Sequence, residues 1–222
     1  MTSFNNLLAV GDCITLGIQD CLGNSYPEKL GTRMGCPVTN RGFTMSTSRE
    51  GKNLLEDSLG QEHDCVILQF GVADSHMTFR YAPYVLYYPD SSSRKIFRNI
   101  VKKYKKLAKR YGLNQRFGEA RVVSEHEYRA NFQHMIHYCG HRQVILPETI
   151  PQQETFRNPA IRRYNQILAD LARQHDKCTY VEVYDDLVDD MGSLYLDKGH
   201  PNDQGYDLIV RNILNALARR PE

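Results

Sequence analysis

Residues 64–70 read Asp-Cys-Val-Ile-Leu-Gln-Phe, and Gly71 follows. A short run that is apolar without alternation suits a strand buried on both faces of a parallel sheet. Parallel neighbours cannot be joined by a tight hairpin. They need a crossover of a dozen or more residues, usually a helix. The flanking sequence meets that demand. Further short strands fit at 6–11, 36–40, 143–147 and 179–183. Between them lie segments with helix punctuation. Pro27 and Gly35 bracket a helix over 26–34. A second, over 50–59, stops at Gly60. A basic helix is expected over 95–111. Ser124, followed by Glu125 and Glu127, opens a helix that runs to Cys139. Ile161, Tyr164, Ile167, Leu168 and Leu171 give 159–174 one apolar face, and 203–217 is the last helix. The alternation predicts an α/β fold: three α/β/α layers around a five-stranded parallel sheet, with a flavodoxin-like strand order. No linker, repeat or low-complexity stretch divides the 222 residues. One domain over 1–222 is therefore expected, carrying an insertion rich in aromatic and basic residues at about 75–121.

In such sheets ligands sit outside the carboxyl ends of the strands. Cys13 follows the first strand, Gly42 the second, and Gly71 to Asp74 the third, so all three belong on one rim. The first strand ends Gly11-Asp12-Cys13, which delivers a nucleophile into a turn. Far downstream lies Asp197-Lys198-Gly199-His200-Pro201, an acid three residues before a histidine. A thiol, an imidazole and a carboxylate are the parts that nucleophilic catalysis needs.

These blocks resemble the SGNH (GDSL-type) hydrolase superfamily. Gly11-Asp12-Cys13-Ile14-Thr15 is similar to its first block, with Cys in place of the nucleophilic Ser. Asn40-Arg41-Gly42 is similar to the second, whose glycine N–H serves the oxyanion hole. Gly71-Val72-Ala73-Asp74 is similar to the third, with Ala in place of the block III Asn. Asp197 to Asn202 is similar to the last block, and Gly205 also fits. Residues 125–131 and Tyr164-Asn165 resemble a branch associated with polysaccharide or natural-product clusters. The resemblance implies a Cys13–His200–Asp197 triad, an oxyanion hole from the N–H groups of Cys13 and Gly42, and supporting roles for Asp12, Asn40 and Asp74. No cofactor is implied.

The two departures direct the functional expectation. A thiol ionises more readily than a hydroxyl, and an ion pair with His200 is expected to lower its pKa further. The acyl-enzyme would be a thioester. That favours a thioesterase or acyltransferase acting on a thioester- or ester-linked acyl group, carrier-bound or small. Ala73 removes an oxyanion donor, a loss of about 10²–10³ in rate unless Asn40 or Gln69 substitutes. One alternative is an SGNH-type esterase or deacetylase acting on a carbohydrate or small ester. Another is a catalytically silent binding module.

The remaining features constrain partners. Hydrophobic residues make up 41% and charged residues 24%, with a net charge of +2, which excludes a disordered or globally polycationic chain. The six cysteines form no C-x-x-C pair and read as buried free thiols of a reducing compartment. Met1 to Asn6 show no basic, apolar leader, and no run approaches a bilayer span, so a cytoplasmic protein without membrane association is expected. His134, His137, Cys139 and His141 follow a helix surface rather than a ligand set, and no metal is expected. Residues 94–121 hold eleven Lys/Arg and one acid, Glu119. Such a run usually means a solvated face; the sharper reading is docking of an acidic carrier protein. Nucleic-acid binding lacks a motif. The tyrosines at 81–88 suit either core beneath the insertion or the wall of an acyl or sugar pocket.

Overall fold

Strands β1 (Leu7–Gly11), β2 (Val38–Gly42), β3 (Cys65–Gln69), β6 (Gln143–Pro147) and β7 (Cys178–Val181) form one parallel sheet in the order β2-β1-β3-β6-β7. Counted within this sheet the order is 2-1-3-4-5, the flavodoxin-like arrangement. The computed structural model describes residues 4–219. The ends of the single-domain reading, 1–3 and 220–222, and the first residues of the segment read for a leader lie outside them.

Successive side chains of each strand enter opposite layers, which is why the strands are apolar without alternation. Leu7, Ala9, Cys65 and Ile67 pack against α2 (Tyr26–Met34) and α10 (Asp203–Ala218) through Tyr26, Leu30, Tyr206 and Ile213. Leu8, Val10, Val66 and Leu68 pack against α3 (Ser48–Glu56), α6 (Glu125–Tyr138) and α7 (Asn158–Gln174) through Leu55, Phe132 and Leu168. Each Leu, Ile, Val or Phe among them contributes about 1.5–3 kcal/mol on burial. Gly11 sits opposite both Gly42 and Gln69, so the loops leaving β1, β2 and β3 emerge side by side.

Several boundaries differ from the sequence expectation for local reasons. The second strand runs two residues later, to Gly42, because its pairing follows β1 to its end. Helix α3 starts at Ser48 and stops at Glu56, since Thr47 and Glu50 form a capping box that fixes its first turn. Helix α4 (Ser92–Arg110) begins early because the Ser91 hydroxyl accepts from the Arg94 N–H. The insertion also carries α5 (Leu113–Phe117) and a two-stranded antiparallel ribbon of β4 (Met77–Phe79) and β5 (Glu119–Arg121). Three-residue strands leave no periodic signal. Short helices α8 (Tyr184–Asp189) and α9 (Met191–Leu194) precede the last loop, and a single turn, α1 (Cys13–Leu16), follows β1. Buried Glu50 accepts from the Tyr84 hydroxyl at 2.8 Å and the Tyr87 N–H at 2.7 Å, tying the insertion to α3.

Candidate active site

The turn after β1 is clamped from both sides. Asp12 caps α1, accepting from the Ile14 N–H at 2.9 Å. At the far end the Thr15 carbonyl accepts from Ser25 Oγ at 2.7 Å and Asn40 Nδ2 at 2.8 Å. Asn40 Nδ2 also donates to Glu28 at 2.7 Å, while Asn40 Oδ1 accepts from the Gly42 N–H at 2.8 Å. Gly42 must be glycine because its Cα faces the backbone of Thr15 and Leu16, where a Cβ would collide. In this arrangement the Gly42 N–H donates to Asn40 and the Asn40 amide holds the turn, so both are engaged within the loop. The Gln69 Oε1 accepts from Thr15 Oγ1 at 3.1 Å within the buried layer. Its Nε2 has no hydrogen-bond partner among the described residues. The Cys13 N–H lies in a first helical turn, where amides lack an intrahelical acceptor.

The second half of the site is a loop between α9 and α10. Tyr195 pairs with Pro201, and the Leu196 N–H donates to the His200 carbonyl at 2.9 Å. Asn202 caps α10 at the Gly205 N–H, and Gly205 lets that helix approach the Leu194 carbonyl closely. Within this frame Asp197 Oδ1 accepts from the N–H groups of Gly199 at 2.8 Å and His200 at 2.9 Å. The His200 Nδ1 lies 2.9 and 3.0 Å from the two Asp197 oxygens. Burial alone would raise the Asp197 carboxyl, but the Gly199 N–H and His200 outweigh it and hold it below the usual range. The other ring nitrogen, Nε2, sits 3.2 Å from Cys13 Sγ.

Cys13, His200 and Asp197 therefore meet in that order. With Nδ1–H on the carboxylate, Nε2 is the acceptor facing the thiol. The ionisation of the thiol differs from expectation. Cys13 is 8% exposed. Burial pushes its pKa well up, and the neighbouring Asp12 adds to this. Its surroundings therefore disfavour the thiolate.

Two carboxyls beside the turn are buried as well. Asp74 is not aimed at the thiol. It accepts from the Ser48 N–H at 3.0 Å and the Ser48 hydroxyl at 2.6 Å, anchoring the loop after β3 to α3. Desolvation pushes both Asp12 and Asp74 up to about 7. The sign follows directly. Between the unfolded value near 4 and about 7, the folded state binds more protons, so this contribution to stability falls as pH rises through that window. Asp12→Asn keeps the cap to Ile14 and removes the titration. It should raise Tm at pH 8 by about 2–4 °C, the effect of roughly 1 kcal/mol in a chain of this size, and leave pH 5 nearly unchanged. Thermal melts at the two pH values check it.

Two side chains that sequence reasoning missed bind the site loops together. Arg157, 3% exposed, donates to the Val72 carbonyl, to Ser75 Oγ at 3.0 Å and to Gln152 Oε1 at 3.2 Å. Gln152 Nε2 donates to the Gly199 carbonyl at 3.2 Å. Arg157 also interacts electrostatically with Cys13 and Asp12. Its only sequence signal is a cation directly before the Asn158-Pro159 helix start, where the helix dipole disfavours it. Tyr164 and Asn165 play similar parts. The Tyr164 hydroxyl donates to the Val123 carbonyl at 2.5 Å, and Asn165 makes two bonds to the Thr149 backbone.

Ala73 lines a cavity of about 230 Å³ that runs beneath the insertion. Met45, Tyr84, Tyr87, Val101 and Lys105 also line it. The tyrosines thus divide: Tyr84 and Tyr87 wall the cavity, whereas Tyr88 packs on Phe43 and Tyr81 on Phe79. Among the described residues no group of three or more His, Cys, Asp or Glu could hold a metal. No described helix is long and apolar enough to cross a membrane.

Residues 9–208 match the profile of the GDSL-like lipase/acylhydrolase family. The chain belongs to that family. The folds of solved structures agree, at low identity. An α/β hydrolase from the metagenome of Lake Arreo, Spain, is 18% identical with a TM-score of 0.67, covering 100% of this chain and 99% of its own. A variant of an acetyl xylan esterase from Geobacillus stearothermophilus is 17% identical with a TM-score of 0.66, covering 99% and 97%. A lipolytic G-D-S-L protein from Veillonella parvula is 16% identical with a TM-score of 0.65, covering 96% and 98%. No curated protein matches significantly. In this GDSL-like chain, Ala73 borders the cavity.

Proposed function

We propose that the chain is an acyl-ester hydrolase of the SGNH type that works through a cysteinyl thioester. The observation that carries this is the Cys13 Sγ to His200 Nε2 contact of 3.2 Å, with Nδ1 held by Asp197. Cys13 Sγ attacks the ester carbonyl while His200 Nε2 takes the thiol proton. Asp197 keeps the ring tautomer and stabilises the imidazolium. The tetrahedral oxyanion meets the Cys13 N–H and the positive field of Arg157. Collapse expels the alcohol, which takes the proton from His200. Water, deprotonated by the same nitrogen, then cleaves the thioester and releases the acid and the thiol. The family match supports this esterase reading better than transfer from a carrier thioester. The acetyl xylan esterase among the similar folds makes an acetylated carbohydrate the first substrate to try.

The sulfur at position 13 favours one second reading. A thioester intermediate stays activated toward alcohols and amines, so the same site suits acyl transfer. Both readings predict an acyl adduct. Intact-mass spectrometry after mixing with p-nitrophenyl acetate or an acetyl thioester should show one acetyl group on Cys13. Acetate release from acetylated xylo-oligosaccharide marks the hydrolase, and acetyl appearing on an added alcohol marks the transferase. No adduct with either donor sinks both and leaves a silent binding module.

A further inference from the structure

Helix α4 presents an apolar stripe to solvent that its charge hides in the sequence. Phe97, Ile100, Tyr104, Leu107 and Tyr111 follow one another at alternating spacings of three and four residues, so they share one face. Phe97, Ile100 and Leu107 are 60%, 55% and 51% exposed. The face adjoining the stripe packs inward through Ala108 and walls the cavity with Val101 and Lys105. The stripe is about 21 Å long at 1.5 Å per residue. It broadens sideways where the Tyr104 ring meets Phe79, Phe79 meets Tyr81, and exposed Tyr81 meets exposed Phe117. Monomeric proteins seldom leave so continuous an apolar patch uncovered.

The flanking charge selects what covers it. Residues 92–110 contain nine Lys/Arg and no acid. Arg98 and Lys95, near the helix start, pair with Asp90. Lys102, Lys103, Lys106, Lys109 and Arg110 have no ion pair among the described residues. A second copy laid on this stripe would set lysine against lysine, which opposes self-association. Specific protein interfaces are enriched in arginine and depleted of lysine, whereas six of these nine cations are lysines. A basic amphipathic helix with aromatic and aliphatic residues on its other face matches a different surface. Its rings and aliphatic chains enter the headgroup boundary, and its lysines reach outward to anionic lipid.

We propose that the outer face of α4 docks the protein on an anionic phospholipid bilayer. This is peripheral attachment; it needs no spanning segment and does not depend on the chemistry at Cys13. It departs from the absence of membrane association expected from the sequence, which weighed overall net charge, a leader and segments able to span.

Vesicle co-sedimentation tests it with the full chain. The protein should pellet with equimolar phosphatidylglycerol–phosphatidylcholine vesicles at low salt. It should stay in solution with pure phosphatidylcholine. About 0.5 M salt should release most of it, because screening shortens the reach of the lysines. Phe97→Ser/Ile100→Ser/Leu107→Ser and Lys103→Glu/Lys106→Glu should each lower the partition coefficient roughly tenfold or more. Neither set touches the cavity or the site, so circular dichroism and hydrolysis of a water-soluble ester should match the parent. Failure of the parent to bind anionic vesicles overturns the proposal. So does equal binding by both variants, or a concentration-dependent dimer that the serine variant abolishes.

Discussion

Cys13→Ala should lower kcat/KM for ester hydrolysis by about 10⁴-fold or more, with little change in Tm. His200→Ala should cost as much, and the double variant no more than either single one, because thiol and imidazole act as a unit. Steady-state kinetics on the two single variants and the double one check this; additive losses would refute a shared mechanism. Asp197→Asn preserves the shape but no longer enforces the tautomer that leaves Nε2 unprotonated, and its loss should approach that of His200→Ala. Cys13→Ser separates the two readings of the sulfur. A neutral nucleophile with a general base at 3.2 Å is the working arrangement for a hydroxyl as well. The serine variant should therefore still hydrolyse esters, while transfer to an added alcohol should fall relative to hydrolysis.

The buried state of the thiol makes the pH behaviour diagnostic. A preformed thiolate–imidazolium pair would alkylate at a constant rate across neutral pH. Burial and Asp12 push the Cys13 thiol up instead. Its alkylation by iodoacetamide should be slow at pH 7 and climb steadily to pH 9 without a neutral plateau. Turnover does not require that thiolate in advance, since His200 removes the proton as the carbonyl is attacked. Catalytic competence and slow alkylation at pH 7 are therefore expected together.

Much of this was legible in the sequence because each piece has a local cause. The unbroken apolar runs at Leu7 to Val10 and Cys65 to Leu68 require burial on both faces, and that fixes a parallel sheet. Gly11, Gly42 and Gly71 mark the rim because turns follow them. Cys13, Asp197 and His200 could be named because their residue types carry their chemistry. The bond from the Gly42 N–H to Asn40, two residues earlier, was not legible because the Asn40 side chain is placed by Thr15, Glu28 and Gly42 together, which only the fold resolves. The depth of the thiol was not legible because burial is a property of packing, not of spacing. The stripe on α4 escaped notice because nine cations lower the mean hydropathy of a helix whose apolar residues are nevertheless in register.

Arg157 was invisible for the same reason, and its replacement should have the largest effect on stability. Its guanidinium satisfies the Val72 carbonyl, Ser75 Oγ and Gln152 Oε1 at once. Gln152 passes the connection to Gly199, directly beside His200. Arg157→Met fills much of the space but strands those acceptors without water, at about 1–3 kcal/mol for each buried group left unpaired. Tm should fall by roughly 6 °C or more, taking about 3 kcal/mol as the total. Arg157→Lys keeps the charge but cannot reproduce the planar fork, so only part of the stability should return. A purely structural role would end there. The positive charge also favours the Cys13 thiolate. Arg157→Met should therefore move the alkylation profile of Cys13 to still higher pH, and Arg157→Lys should restore it. Gln152→Leu, which breaks the bridge to Gly199 but keeps the charge, should lower kcat without moving that profile. An unmoved profile in Arg157→Met would reduce Arg157 to a brace between the two loops and remove its field from the oxyanion argument.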